Sequence, residues 1–192
     1  VDRGSHGVGP EDTVVKELAR RHPDKVIDAL TERLTFERAG VELYDTIAHN
    51  IERVGSPEDA RLLPTMRVHR DHEKEHEEWL EQQIRELGGD AHGQTELGEL
   101  ITMESAGVQR VVMSDANVFH QLHALLIAEL VDNAGWELLL ELADDADDPD
   151  ARRELRKRLH EEEEHLFFVR RAVAALARQN VLGKAMLLPT SP

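Results

Sequence analysis

The sequence predicts an all-α chain: four long helices in two antiparallel hairpins joined by one long crossover, with a short helix ahead of them. Three observations predict it. Apolar residues recur at steps of three and four over long stretches. Those stretches are rich in Ala, Leu, Glu and Arg, which favour helix, while aromatic residues make up only 4% and strand-like clusters of β-branched and aromatic residues are scarce. The 12 Gly and 7 Pro fall mostly between the periodic stretches, where they punctuate them.

The elements follow in chain order. Residues 12–22 read as a short amphipathic helix stopped before Pro23, so residues 1–23 form an N-terminal tail and short helix. Asp24 is placed to cap a first long helix to about Val54, with Ile27, Leu30, Leu34, Val41, Tyr44, Ala48 and Ile51 as its stripe and Gly55 as its stop. Ser56-Pro57-Glu58-Asp59 is a restart signal: a capping Ser, Pro at the first helical position and acids in the first turn. The second long helix then runs to about Leu87 and stops at Gly88-Gly89. Residues 88–113 lack a long clean period, and part of the stretch, around Glu96–Glu104, reads as a short helix. Ser114 is placed to cap the third long helix, with the stripe Val118, Leu122, Leu125, Trp136, Leu139 and Ala143. Asp148-Pro149 restarts the fourth, whose stripe Leu155, Leu159, Val169, Ala172 and Leu176 ends near Gly183. The bundle spans 24–183, and residues 184–192 read as a mobile tail.

Helices of roughly 30 residues are about 45 Å long. The two short turns force antiparallel neighbours. The 26-residue middle connection reaches about 85 Å when extended, so it can run back along the bundle and leave the second and third helices parallel.

Each apolar stripe is interrupted near its middle by residues that do not belong in a core. The first helix runs Leu30, Leu34, Glu37, Val41, Tyr44, and the second Met66, His69, Glu73, His76, Leu80. The third runs Leu122, Leu125, Glu129, Asp132, Trp136, and the fourth Leu155, Leu159, Glu162, His165, Val169. A buried carboxylate must be paired or bound to metal, because burying it alone costs several kcal/mol. Height along the hairpins is a second test. Glu37 lies 18 residues before Gly55 and Glu73 lies 18 after it; Glu129 lies 17 before Ala146 and Glu162 lies 16 after it. Equal distance from a turn means equal height, so each hairpin sets one Glu opposite one Glu-x-x-His, whose i, i+3 spacing keeps both side chains on one face. Oxygen and imidazole donors without thiolate accommodate Fe, Mn or Zn. Two divalent ions neutralise four carboxylates.

The candidate ligands are therefore Glu37, Glu73, His76, Glu129, Glu162 and His165. Glu162 is preferred to Glu161 and Glu163 only by its spacing to His165. Asp132 reads as an acceptor for a ligand His, an additional ligand or a bridge between helices. Glu161 could support His76 from outside the site. His69 and Tyr44 read as buried polar and core residues or as outer partners of the ligands, Trp136 as core, and His120, His123 and His160 as peripheral. "HEKEH" also has the H-E-x-x-H spacing of zinc proteases, but that reading leaves Glu37, Glu129 and the second Glu-x-x-His unexplained.

The stretches "LTFERAGVELYD", "HRDHEKEHEEWLEQQIRELGGD", "LLIAELVDNAGWELLLELA" and "LHEEEEHLFFVR" together resemble the ferritin-like di-iron and di-manganese carboxylate proteins, in particular small stand-alone bacterial ferritin-like domain proteins. The resemblance covers about residues 24–180. It implies a ferritin-like four-helix bundle, two metal ions with Fe favoured over Mn or mixed Mn/Fe, and O₂ or H₂O₂ as reactants. The implied activity is that of an oxidase, ferroxidase or peroxide-reducing protein in iron or oxidative-stress handling. The alternatives are a non-catalytic storage or delivery protein and a metal-free structural bundle.

Composition bounds the setting. A formal net charge of −16 repels phosphate backbones and draws in cations, so nucleic acid is not the expected partner. The chain has no Cys, which excludes disulfides and iron–sulfur clusters. No apolar run approaches the roughly 20 residues of a membrane span. The expectation is a cytoplasmic protein that forms a homodimer or higher homo-oligomer.

Overall fold

The computed structural model describes residues 13–183; the expected tail over 184–192 and the residues before Thr13 lie outside that range. The described chain is helical, and among the described residues there are no strands. The helices are α1 (Lys16–Ala19), α2 (Pro23–Val54), α3 (Leu63–Glu86), α4 (Glu96–Ser114), α5 (Val118–Asp145) and α6 (Pro149–Leu182), with a 3₁₀ turn at Asp59–Leu62 ahead of α3. None among the described residues is long and apolar enough to cross a membrane.

Several boundaries differ from expectation, each for a local reason. α1 is a single turn rather than a helix over 12–22. Its start is pinned by the Asp148 carboxylate, which accepts from the backbone N–H of Glu17 at 3.0 Å and of Leu18 at 3.1 Å. The same carboxylate caps α6 through Ala151 N–H at 3.0 Å. α2 starts one residue earlier than the proposed Asp24 cap, with Pro23 in its first turn and no side-chain cap at His22. Asp24 sits instead in the first turn, where its charge favours the helix dipole.

Ser56 and Asp59 do cap one another: Ser56 donates from backbone N and from Oγ to Asp59 Oδ2, and Ser56 Oγ accepts from Asp59 N–H. What they start is the 3₁₀ turn, so α3 proper begins only at Leu63. Gly88, at φ +84°, ends α3 in the left-handed region that L side chains rarely adopt.

The largest departure is the middle connection. It carries α4, 19 residues long and capped by Thr95, rather than a short helix. α4 packs against α2 and α5. Its buried face is only Gly98, Ile101 and Val112, too sparse to give a clean period. Ser114 is its last residue, and the cap of α5 is Asn117, whose Oδ1 accepts from Phe119 and His120 N–H.

Side-chain ladders give the helix directions. Arg67 pairs with Glu52, Arg70 with Asp45 and Arg38 with Glu77 and Glu81, so α2 and α3 run antiparallel. α5 and α6 form the other hairpin, with Arg152 to Asp144 near the turn and His165 to Glu129 further along. Between hairpins, Tyr44–Glu129, Glu37–Trp136 and Arg33–Asp132 make α2 antiparallel to α5. His76–Glu161 and His72–His165 do the same for α3 and α6. α3 and α5 are therefore parallel, as the long connection allows.

Two apolar clusters fill the interior. One includes Leu43, Ile47, Met66, Leu125 and Val169. The other includes Leu34, Leu80, Trp136, Leu139 and Leu155. Each fully buried aliphatic side chain stabilises the fold by about 1.5–3 kcal/mol. On α3, α5 and α6 the polar residues that interrupt the stripes lie between the two clusters in sequence, and on α2 Glu37 lies where the second cluster gives way to the first, next to Phe36.

Candidate metal centre

All six expected ligands are buried, none more than 3% exposed. α2 supplies Glu37, α3 Glu73 and His76, α5 Glu129, and α6 Glu162 and His165. Glu162 is the residue between the imidazoles: Oε1 lies 2.9 Å from His76 Nδ1 and Oε2 lies 3.2 Å from His165 Nδ1. Glu37 Oε2 is 3.3 Å from His76 Nδ1. Glu73 Oε1 and Glu129 Oε2 are 3.3 Å and 3.9 Å from His165 Nδ1. Of the acids on the fourth helix, Glu163 is exposed and Glu161 half-buried, so spacing to His165 selects the residue that burial also selects.

The donors fall into overlapping groups, each with one ligand atom per residue and all such atoms within 4.8 Å of one another: Glu73, Glu129, Glu162 and His165; Glu37, His76 and Glu162; and Glu37, Glu73, Asp132 and Glu162. Glu162 is common to all three, and Glu73 reaches both ends. Glu37 with His76 and Glu129 with His165 mark those two ends.

Outer partners hold the ends. Trp136 Nε1 donates to Glu37 Oε1 at 2.8 Å, and Tyr44 Oη donates to Glu129 Oε1 at 2.5 Å. His76 Nε2 lies 3.0 Å from Glu161 Oε2, the support expected of Glu161. His165 Nε2 lies 3.2 Å from His72 Nδ1. The His69 ring stacks on His165 with centroids 4.3 Å apart and meets Tyr44 edge-on. Asp132 bridges helices: Arg33 Nη1 donates to its Oδ1 at 2.6 Å and to its carbonyl at 3.0 Å. His72 belongs to none of the donor groups, so the H-E-x-x-H pair is not gathered on one ion. His120, His123 and His160 are exposed.

The electrostatics are those of a site short of positive charge. Burial raises Glu73 and Asp132 well above the usual carboxylate range, with neighbouring carboxylates adding and, at Asp132, Arg33 opposing. Burial likewise pushes Glu129 up to about 8, with His165 and the Tyr44 hydrogen bond holding it back. Burial works against ionised Glu162, yet His165 and His76 hold it below the ordinary range. Burial also works against charge on the two imidazoles, but the surrounding carboxylates raise both. His69, with no carboxylate hydrogen bond, is driven by burial and by its histidine neighbours down to about 2. Burial and the adjacent carboxylates raise Tyr44 well above 10, so it stays a phenol and a donor.

These residues suit a cation. One oxygen of Glu73 and one of Glu129 are buried without a hydrogen-bond partner, and both oxygens of Glu162 meet the imidazoles as ion pairs without hydrogen-bond geometry. Each partnerless atom costs about 1–3 kcal/mol, more when charged. Carboxylate oxygen and imidazole nitrogen are the donors that divalent Fe, Mn and Zn accept. These buried Glu and His groups can hold a metal ion.

Two residues of the site, Arg33 and Gly40, were not singled out in the sequence, and His72 was weighed there only as the first His of H-E-x-x-H. Arg33 is 1% exposed and tied to Glu32 and Asp132. His72 backs His165. Gly40 gives Glu73 its room: a Cβ there would fall 2.4 Å from Glu73 Oε2. A glycine inside a strongly helical pattern signals close approach, and Gly135, where a Cβ would fall 2.1 Å from Arg33 Cζ, is a second case. Trp136 is core as expected, but it is also a donor to Glu37.

Scanned against protein-family models, curated proteins and solved structures, the chain matches none of them.

Proposed function

We propose that the chain is a dinuclear metal protein of ferritin-like architecture, with iron as the favoured metal and Mn/Fe or Mn/Mn as variants on the same donors. The observation that carries this reading is the overlap of the two donor ends in Glu162 and Glu73, with a partnerless buried oxygen on each of Glu73 and Glu129. Glu37 and His76 would hold one ion, Glu129 and His165 the other, and Glu73 and Glu162 would face both. A metal-free structural bundle would leave the Glu73 and Glu129 oxygens without a partner, which disfavours it.

Iron held there would supply electrons for reducing O₂ or H₂O₂, and the activity we assign is oxidase, ferroxidase or peroxide reductase in iron or oxidative-stress handling. The chain's own residues serve that chemistry in defined ways. The flanking apolar clusters exclude bulk water. Trp136 and Tyr44 fix one oxygen each of Glu37 and Glu129. Glu161 and His72 orient the two imidazoles from behind. The strongly negative overall charge, −16, raises the local concentration of cations.

Oxygen-electrode and peroxide-consumption assays test the reading. Protein loaded with Fe²⁺ without air should consume O₂ or H₂O₂, and Glu162→Ala should abolish the consumption together with metal binding. Tight metal binding with neither oxidant consumed would overturn the redox assignment and leave a storage or delivery role. Light scattering would then separate the cage that storage needs from the homodimer we expect.

A further inference from the structure

The two ends of the site share Glu73 and Glu162; Asp132 groups with the Glu37 end alone but is tied to Arg33, and the remaining difference lies in what stands behind the residues the ends do not share. Those outer partners differ in kind. His76 presents Nδ1 to Glu37 and Glu162, and its Nε2 faces the Glu161 carboxylate at 3.0 Å. His165 presents Nδ1 to Glu73, Glu129 and Glu162, and its Nε2 faces the His72 imidazole at 3.2 Å. With a metal ion on Nδ1, each ring would carry its hydrogen on Nε2 and donate it outward. A carboxylate acceptor makes the ring a stronger electron donor than an imidazole acceptor does.

The terminal carboxylates differ in the same sense. Glu37 accepts from the Trp136 indole at 2.8 Å, whereas Glu129 accepts a shorter bond, 2.5 Å, from the Tyr44 hydroxyl. The short phenol bond draws more charge from Glu129. Both outer contacts therefore favour the Glu37/His76 end.

We infer that the two metal positions are unequal, the Glu37/His76 position filling first, with Glu161 and His72 as the positioning residues that set the difference. This rests on the dinuclear reading above. Outer hydrogen-bond partners of ligand histidines change metal affinity by about 10–100-fold, so the first ion should bind at least about 10-fold more tightly than the second.

Titration of the metal-free protein with Co²⁺, followed by calorimetry and by the visible Co²⁺ bands, tests this. The wild type should show two resolved steps with distinct spectra. Glu161→Gln keeps the shape but removes the charge, and should weaken the first step about 10-fold while leaving the second. His72→Ala should weaken the second step and spare the first. His72→Glu supplies the missing carboxylate at a half-buried position, and should tighten the second step until the two merge. Merely structural damage would not produce that gain. Two equal sites in the wild type, or equal effects of Glu161→Gln and His72→Ala on both steps, would overturn the inference and leave the dinuclear reading intact. No Co²⁺ binding at all would overturn both.

Discussion

The Arg33 guanidinium donates to Asp132 Oδ1 at 2.6 Å across the α2–α5 interface, and neither side chain is more than 2% exposed. The pair places one fixed positive charge beside a group of carboxylates. It also engages one oxygen of Asp132, a residue whose other contacts lie toward Glu37, Glu73 and Glu162. Glu32 completes the arrangement by accepting from Arg33 Nε and Nη2. Arg33→Met should destabilise the metal-free protein by about 3–5 kcal/mol, because it strands a buried carboxylate. Urea denaturation measures this. The double variant Arg33→Met/Asp132→Leu should lose far less than the sum of its single changes, since it removes both charges together.

Gly40→Ala separates folding from metal binding. Alanine raises helix propensity by about 1 kcal/mol over glycine. The new methyl would meet the far end of the Glu73 side chain, at 2.4 Å from Oε2, rather than backbone. The carboxylate can swing aside, so thermal unfolding of the metal-free variant should match or exceed the wild type. Metal affinity should fall at least about 10-fold, because Glu73 faces both ions.

Stability of the metal-free protein should fall as pH rises from about 6.5 to 8; below 6.5 the lowered His69 and His72 oppose the fall. Glu129, raised to about 8, binds a proton in the folded state that the unfolded chain has released. The stability from this raised group is complete below about 4.5 and is lost as pH climbs through about 8. Glu73 and Asp132, raised, act in the same direction, as do the raised His76 and His165 above about 6.5. Glu162 is lowered, so its contribution disappears only on acidification below this window. Metal must displace those protons, so affinity should rise with pH over the same range. Calorimetry in buffers of different ionisation enthalpy should show proton release on binding.

Tyr44→Phe removes the only hydroxyl on Glu129 and keeps the ring in the core. The lost bond to a buried carboxyl should cost the metal-free protein about 1–3 kcal/mol. With the phenol gone, Glu129 donates more strongly, and the gap between the two metal affinities should narrow. Chemical denaturation and Co²⁺ titration read the two effects separately.

The helix count on the four long stretches and the identity of the buried acids were legible because a charged residue on an apolar stripe breaks a strong rule. Glu37, Glu73, Glu129 and Glu162 each sit on such a stripe at matched distances from a turn. α4 was legible only over its first half, Glu96–Glu104, since Gly98, Ser105, Ala106 and Gly107 dilute its apolar period. Its partner surface on α2 and α5 exists only in three dimensions. Arg33 escaped notice because an arginine beside an apolar stripe normally faces solvent; it is buried here only because Gly135, from a helix far along the chain, leaves room for the guanidinium. His72 was visible as a residue but not as the partner of His165, a contact between residues 93 apart in sequence.

The central claim is tested most directly by a crystal structure of Mn²⁺- or Fe²⁺-loaded protein with anomalous scattering at the metal edge. Two peaks per chain, one against Glu37 and His76 and one against Glu129 and His165, with Glu73 and Glu162 touching both, is the predicted result. A single ion on His72 and His76, or no ion among the six residues at saturating metal, would contradict it.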